Sequence, residues 1–398
     1  MKKLILAAMF AALALGAQAQ PRKGEAQKPE GYKITDKDCV EATSIKDQSR
    51  SGTCWSFSGL AFLESEILKN GGEVVDLSEI WIVRHCYEQK AEKFVRLHGK
   101  LNFAQGGATH DVLNTIEEFG IVPEEVYRGL NYGTEKHNLY EVDAALLGYL
   151  EGVIKQKTLT PVWKDGFNAI LDVYFGPKVE KFTYNGKEYT PKSFAESLPV
   201  DLSDYVSFTS FTHHPFYTQF AIAVPDNWAW GLSYNVPIDE LMQIMDASLD
   251  AGHSIYWATD VSEKGFSRQL AIGVVPTVKL ENLEGTEAER WGKMTPQERD
   301  AALYSFSKPT AELEITQQMR QVAYDNYETT DDHGMQIVGR AVDQIGNKYF
   351  KVKNSWGEVG PYKGYYYFSY PFAAYKTMNI VVNKKAVPAK IRKACGIE

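Results

Sequence analysis

The sequence predicts an α+β protein whose helices come early in the chain and whose strands come late. Apolar side chains recur at helical spacing near residues 54–69, 77–93 and 110–119. The last hundred residues instead carry strand-like alternation, notably at residues 349–353 and 365–368. Helices and strands that are separated along the chain favour an α+β fold with segregated halves.

Composition excludes several classes of protein. The 398 residues are 44% hydrophobic and 24% charged, which is the balance of an ordinary folded protein and enough for two or three domain-sized units. The net charge is −8 and no long basic run is present, so we expect no nucleic-acid partner. No HExxH, phosphate-loop or GxSxG motif occurs, and His213-His214 lacks companions at ligand spacing. We therefore expect neither a metal nor a cofactor.

The first nineteen residues have the pattern of a signal peptide. Lys2 and Lys3 precede an apolar run over residues 4–17, and Ala17-Gln18-Ala19 supplies the small residues that a signal peptidase cuts. The run is too short to span a bilayer, so the alternative to a signal is a buried N-terminal helix. We expect an exported protein, periplasmic or extracellular, with no membrane span and a flexible arm over residues 20–36.

Turn and capping residues place the boundaries of the main elements. Asn70-Gly71 and Gly120 end the first and third helices, Asp76 or Ser78 caps the second, and Asn185-Gly186 indicates a hairpin. The predicted helices cover residues 54–69, 77–93, 110–119, 141–154, 163–174 and 237–251; the predicted strands cover residues 182–190 as a hairpin, 254–259, 349–353 and 365–368.

The strongest chemical signal is the stretch from Gln48 to Trp55, which contains Cys54. A cysteine in the first turn of a helix meets free N–H groups and the helix dipole, which lower the pKa of its thiol. The Gln48 side-chain NH₂ and the Cys54 backbone N–H can together hold the oxygen of a tetrahedral intermediate, typically worth ~3–4 kcal/mol. The alternative is that Cys54 is an ordinary buried cysteine, the commoner fate of a free thiol.

The second half of the chemistry lies far downstream, at His333 and Asn354. Two strand-like segments join near residues 343–347, and as a hairpin they bring Asn354 close to His333. If the two strands pair regularly, Asn354 lies about one pleat away from the position that faces His333, so a bulge or a twist is required. Asn354 can then accept the imidazole N–H, Trp356 can cover that contact, and the other ring nitrogen can face Cys54. A thiolate–imidazolium pair is the activated nucleophile for acyl transfer. A lone histidine is usually structural, but these elements together favour catalysis.

These motifs resemble the papain superfamily of cysteine peptidases, and more narrowly the branch of bleomycin hydrolase and bacterial aminopeptidase C. The resemblance covers about residues 37–388. From Cys54 to His333 is 279 residues, about twice the ~130–150 of a compact papain-type enzyme. The resemblance therefore implies a papain-like fold of two lobes, one helical and one an antiparallel β-barrel-like lobe, with a large insertion around residues 128–235 of a catalytic domain spanning 37–398. Other stretches similar to that branch are residues 103–107, 111–123, 235–239, 257–261 and 381–388.

The resemblance also implies a role for each residue. Cys54 attacks the scissile carbonyl, His333 moves the proton, and Asn354 orients His333. Gln48 stabilises the oxyanion, while Trp55 and Trp356 support the site.

Gly106 and Gly107 follow Phe103 in a stretch similar to that branch. Without side chains, their backbone can approach and pair with an extended peptide substrate. The alternative interpretation is a simple turn.

Relatives in this branch carry a C-terminal tail whose carboxylate meets the free amine of the substrate. Only residues 389–398 follow Pro388, which is short for that purpose. Aminopeptidase activity is therefore favoured by the resemblance and disfavoured by the tail. A papain-type endopeptidase and a non-catalytic peptide-binding protein remain alternatives. The resemblance further implies a possible homo-oligomer, a hexamer.

Three cysteines remain besides Cys54: Cys39, Cys86 and Cys395. They allow at most one disulfide, and three free thiols are equally compatible with the sequence. Ser51 stands where secreted papain-like enzymes usually have a disulfide cysteine, which favours the bleomycin hydrolase branch.

Overall fold

The structure, a computed structural model, describes residues 31–278 and 280–398. The predicted signal peptide, residues 1–19, and most of the predicted arm lie outside this part of the chain. The arm was expected to extend to residue 36, but strand β1 (Thr35–Cys39) begins before that point and pairs with a strand of the main sheet. The backbone is therefore fixed from Thr35 onward.

The first half of the chain forms the helical lobe, as the hydrophobic periodicity predicts. Its main helices lie within one or two residues of the predicted starts, and within three of the predicted ends. Ser78 caps the second helix by accepting a hydrogen bond from the Trp81 N–H, and Gly120 ends the third at a φ of 76°. The elements are α1 (Cys54–Lys69), α2 (Glu79–Arg96), α3 (Thr109–Phe119), α4 (Tyr140–Val153), α5 (Val162–Phe175), the hairpin β2 (Phe182–Tyr184) and β3 (Lys187–Tyr189), and α6 (Pro191–Ser197).

The second half supplies the remaining strands, interspersed with helices. The predicted helix 237–251 and strands 254–259, 349–353 and 365–368 are present with small shifts at their ends. The elements are β4 (Tyr205–Thr209), β5 (Gln219–Ala221), β6 (Leu232–Asn235), α7 (Ile238–Asp250), β7 (Ile255–Thr259), β8 (Phe266–Ser267), β9 (Ile272–Gly273), α8 (Gly285–Lys293), α9 (Pro296–Leu303), α10 (Gln317–Asp325), β10 (His333–Val342), β11 (Lys348–Lys353), β12 (Tyr365–Ser369), α11 (Tyr370–Lys376), β13 (Thr377–Asn383) and α12 (Ala389–Cys395).

Eleven strands form one mixed sheet in the order β5-β6-β4-β13-β7-β10-β11-β12-β9-β8, with β1 added beside β10. The pairs β4–β6 and β9–β12 are parallel. The α+β class is confirmed. The expected barrel-like closure is wrong, because β5 and β8 are the two ends of this order and do not pair with each other within the described residues.

Helices cover both faces of the sheet near its centre. Alternate side chains of β7 point to opposite faces, as strand geometry requires. Tyr256 and Ala258 join the core that contains α1, whereas Ile255 and Trp257 join the core that contains α7 and α12. Helix α1 is buried from Trp55 to Ile67 between the helical lobe and the sheet, so its first residue lies where the two halves of the molecule meet.

A buried ionic cluster behind α1 connects the helical lobe to the sheet, since Lys353 of β11 donates to Thr43 at 2.8 Å. Glu64 of α1 accepts hydrogen bonds from Thr43, Lys46 and the Leu77 N–H at 2.5, 2.9 and 3.0 Å. Lys46 also pairs with Glu79 at 2.6 Å.

Within the described ranges, no helix is both long and apolar enough to cross a membrane.

Candidate active site

Cys54 is the first residue of α1, as predicted, and it lies directly against the start of β10. The contact is close because Gly334 has no side chain. A Cβ at Gly334 would be 2.8 Å from Ser58 Oγ and 3.4 Å from Trp55 Cα. The Gly334 backbone N–H points at the Cys54 sulfur and acts to lower the pKa of its thiol. The two halves of the predicted site, 279 residues apart in sequence, are therefore neighbours in space.

His333 and Asn354 form the predicted hydrogen bond, with 2.8 Å between Nε2 and Oδ1. The Asn354 Oδ1 also accepts the Ser355 N–H at 2.8 Å, which identifies this atom as the amide oxygen. Because the oxygen can only accept, Nε2 of His333 carries the hydrogen and Nδ1 is left with a free lone pair. His333 is buried, at 5% exposure, and so is Asn354, at 2%.

A β-bulge makes this hydrogen bond possible. Strand β10 pairs with β11 through Gly339↔Lys351 and then Ile337↔Val352, so one residue, Val338, is skipped. The shifted register continues from Gln336↔Lys353 and puts Asn354 on the same face of the sheet as His333. Without the bulge, Asn354 would point to the opposite face, because side chains alternate along a strand. The predicted bulge is confirmed.

Trp356 covers the His333–Asn354 pair. Its indole is stacked on the imidazole with ring centroids 4.7 Å apart and an interplanar angle of 27°. The guanidinium of Arg268 lies over the Trp356 ring, 4.7 Å from its centroid. The arrangement shields the hydrogen bond from water and places a positive charge near His333.

Burial dominates the pKa values of both reacting groups. It raises the pKa of the Cys54 thiol to about 12, and nearby Asp331 and Asp226 add to the increase. Burial lowers the pKa of His333 to about 4; the hydrogen bond to Asn354 opposes this effect, and Arg268 adds to it. The Trp55 N–H in the first turn of α1 lowers the pKa of the thiol, as expected for a helix N-terminus, but desolvation outweighs it.

Within the described residues, no direct hydrogen bond joins the Cys54 sulfur to His333. Both groups are neutral in this arrangement. Contacts between a nucleophile and its base are often long without substrate and tighten when it binds.

Gln48 is fixed in a position suited to an oxyanion. Its Oε1 accepts the Ser355 hydroxyl at 2.6 Å, and its Nε2 donates one hydrogen to the Ser51 carbonyl at 2.8 Å. The second Nε2 hydrogen remains available. The Cys54 N–H is likewise without a partner in the described part of the chain, since the first N–H groups of a helix have no intrahelical acceptor.

Gly106 and Gly107 lie beside Trp55, but their roles differ. The Gly106 carbonyl accepts the buried Lys90 ammonium at 2.6 Å, so it is already occupied. A Cβ at Gly107 would be 2.7 Å from the Trp55 indole, which explains the glycine there. The Gly107 N–H and carbonyl have no hydrogen-bond partner among the described residues, so Gly107 is the better candidate for pairing with a substrate backbone.

Comparison with known proteins agrees with this geometry. A profile described as papain family cysteine protease matches residues 28–163, and one described as the peptidase C1-like family matches residues 285–397. The first match contains Cys54 and the second contains His333 and Asn354. The chain belongs to the papain family of cysteine peptidases.

Papain-family relatives of this chain include several bacterial aminopeptidases. Aminopeptidase C of Lactococcus lactis subsp. cremoris is 26% identical over 386 residues, which cover 85% of this chain and 80% of the relative. Aminopeptidase G of Lactobacillus delbrueckii subsp. lactis is 24% identical over 383 residues, covering 86% and 81%. The crystal structure of PepW from Lactobacillus rhamnosis HN001 superimposes with a TM-score of 0.69 at 20% identity, covering 91% of this chain and 84% of that one. The bleomycin hydrolase branch stays a prediction.

Sequence reasoning missed three charged residues around this papain-family site. They are Asp226, Asp331 and Arg268. Asp331 stands two positions before His333, which is a local signal, but Asp226 and Arg268 come from loops whose placement the sequence pattern does not reveal.

All four cysteines are free thiols, which answers the question left open for Cys39, Cys86 and Cys395.

Proposed function

We propose that this papain-family peptidase is an aminopeptidase that removes N-terminal residues through a Cys54–His333–Asn354 mechanism. The observation that carries the mechanism is the Nε2–Oδ1 hydrogen bond of 2.8 Å between His333 and Asn354, held beside the first residue of α1. It leaves the basic Nδ1 atom of His333 as the acceptor for the thiol proton.

The acylation step begins with the neutral thiol. The Cys54 sulfur attacks the scissile carbonyl carbon while His333 Nδ1 takes the thiol proton, and the carbonyl electron pair moves onto oxygen. The free Gln48 Nε2 hydrogen and the Cys54 N–H are positioned to stabilise that oxyanion. The C–N bond then breaks as the imidazolium returns its proton to the leaving amine, and a thioester remains on Cys54.

Deacylation repeats the same sequence with water. His333 takes a proton from the attacking water, and the oxyanion is stabilised by the same donors. The C–S bond breaks, the proton passes to the sulfur, and the free amino acid leaves. Asn354 keeps the ring oriented in both halves of the cycle.

The aminopeptidase assignment is supported by the names of the relatives, aminopeptidases C and G. It is tested by comparing alanyl coumarylamide with N-acetylalanyl coumarylamide on the purified protein. We expect at least tenfold preference in kcat/KM for the free amine, and no activity from Cys54→Ala. Cleavage of the acetylated substrate alone would instead identify an endopeptidase.

The reactivity of Cys54 distinguishes a non-catalytic binding protein from an aminopeptidase or an endopeptidase. A peptidyl epoxide, which binds in the cleft as a substrate does, should alkylate Cys54 of the folded wild type, with Cys54→Ala as the control for labelling of Cys39. Absence of labelling at Cys54 together with no hydrolysis of either substrate would favour a binding protein.

We also propose export, on the strength of Lys2, Lys3, the apolar residues 4–17 and the Ala17-Gln18-Ala19 site. N-terminal sequencing of protein recovered outside the cytoplasm of a producing bacterium should begin at Gln20. A chain that keeps its first nineteen residues and stays in the cytoplasm would contradict export.

A further inference from the structure

A loop over residues 222–231 closes one side of the cleft beside the glycine pair. It joins β5 to β6 and is held in shape by Asn227, whose Nδ2 donates to the carbonyls of Ile222 and Gly231 at 3.0 and 3.1 Å. The Asn227 Oδ1 accepts the Gly231 N–H at 2.8 Å. Asn227 and Trp228 are buried, so the loop is a packed element of the fold.

This loop packs against the Gly106 segment and against α3, and at each contact one of the two partners has to be glycine. A Cβ at Gly106 would lie 2.2 Å from the carboxylate carbon and oxygens of Asp226. A Cβ at Gly231 would lie 2.2 Å from the ring of His110, the second residue of α3. The Asp226 carboxylate is therefore fixed directly above Gly106, one residue from the free backbone of Gly107.

Asp331 comes to the same region from the segment that leads into His333. The neighbouring residues fix it: the Thr330 N–H donates to Asp260 at 2.8 Å, and the Asp332 carboxylate accepts the Val261 N–H at 2.9 Å. Asp331 lines a small cavity with Ala108 and with Ile222 of the 222–231 loop. Asp226 and Asp331 act on each other and on the Cys54 sulfur through space, so both carboxylates lie near the nucleophile.

Neither Asp226 nor Asp331 has a hydrogen bond or an ion pair to another described residue, although both are only partly exposed. Lys90 acts on Asp226 through space but makes no ion pair with it within the described part of the chain, and it donates instead to the carbonyls of Ala104 and Gly106 at 2.6 Å each. Partly buried carboxylates without partners are unfavourable, and a cationic ligand group relieves that. When the carbonyl of an N-terminal residue is at Cys54, its amine is only two bonds away.

We propose that Asp226, together with Asp331, binds the α-ammonium group of the substrate's N-terminal residue, and that the 222–231 loop blocks longer chains on that side. This assignment rests on the proposed aminopeptidase function and names the groups that give it its specificity. A peptide extended beyond that residue presents a neutral amide to the carboxylates and meets the loop. The C-terminal helix α12 packs with α7, on the face of the sheet opposite α1.

The test compares Asp226→Asn and Asp331→Asn with wild type on alanyl and N-acetylalanyl coumarylamide. The readout is the ratio of kcat/KM for the free-amine substrate to that for the acetylated one. Loss of a charged hydrogen bond is expected to lower this ratio about 10- to 100-fold. Asp165→Asn, an exposed residue on α5, removes the same charge away from the cleft and should leave the ratio unchanged.

Both substitutions are isosteric, and circular dichroism together with the unfolding midpoint reports whether each variant is folded. A lower ratio in either folded variant supports the assignment. A wild type that prefers the free amine, with the ratio preserved in both variants, overturns the assignment and leaves the aminopeptidase proposal standing. A wild type without that preference overturns the aminopeptidase proposal, and this inference with it.

Discussion

The hydrogen bond between His333 and Asn354 is the contact that orients the imidazole ring, and the substitution Asn354→Ala tests this role. Removing Asn354 leaves the buried Nε2–H of His333 without a partner, which costs about 1–3 kcal/mol, and frees the ring to rotate. We expect kcat to fall about 10- to 100-fold with KM changed much less. Steady-state kinetics on alanyl coumarylamide measure this, and Ser44→Ala, an exposed residue outside the site, is the control. An unchanged kcat would contradict the orienting role.

We expect the pH dependence of the reaction to follow the pKa of His333, which Arg268 lowers. Burial holds the pKa of His333 at about 4, and the Arg268 charge helps to keep it low. In the proposed mechanism the ring acts as a base and has to be neutral, so we expect activity to persist well below the ordinary pKa of histidine and to be lost as the pH falls through the lowered value.

Arg268→Gln should therefore raise the pKa of His333 and move the acid limb of the kcat/KM profile to higher pH. Arg268→Lys keeps the charge and should keep the limb close to that of wild type. Because Arg268 is exposed, the difference should shrink as salt is added. Coincident acid limbs for the wild type and Arg268→Gln at low salt would show that this charge does not reach the ring.

At the scale of elements, Glu64 joins α1 to the segment around Lys46 and to the start of α2. Its carboxylate is 1% exposed and accepts three hydrogen bonds, so Glu64→Gln breaks a buried ionic contact. We expect the free energy of unfolding to fall by about 3 kcal/mol. Urea unfolding measures it, with Glu151→Gln on the exposed side of α4 as the matched control. Equal stability of the two variants would show that the cluster does not hold the lobes together.

The elements also show what sequence patterns can and cannot predict. Helix α1, the bulge in β10 and the pairing of His333 with Asn354 follow from local periodicity and from counting residues along one hairpin. Strands β4, β5 and β6 were expected within an insertion, yet they join the main sheet through β13. They are only three to five residues long, and β4, which connects them to the sheet, pairs with a strand about 170 residues away, so no local sequence pattern predicts this pairing.

The same limit explains the electrostatics of the site. The helix N-terminus at Cys54 is visible in the sequence, but the desolvation that raises its pKa comes from elements packed around it. Asp226 reaches Gly106 through the tertiary packing of the 222–231 loop, which no spacing rule describes. Cys54, His333 and Asn354 were predictable because each lies in a sequence motif, whereas the charged residues that neighbouring loops bring to them were not.

At the scale of the whole molecule, the sheet separates the C-terminal helix from the reactive cysteine. Ile391 and Cys395 of α12 are buried with α7 on one face, while α1 packs on the other. The three residues 396–398 span at most about 11 Å when fully extended, and Ile397 packs against the same core as α12.

Deleting residues 396–398 should therefore leave the preference for a free amine unchanged, provided that α12 stays folded. The measurement is the ratio of kcat/KM for alanyl and N-acetylalanyl coumarylamide, with the unfolding midpoint as a check on α12. Ile391→Ala serves as the comparison, because it removes a buried side chain and should lower stability by about 2–5 kcal/mol without a specific effect on the ratio. A ratio that falls when residues 396–398 are deleted, but not in Ile391→Ala, would place recognition of the amine in those three residues.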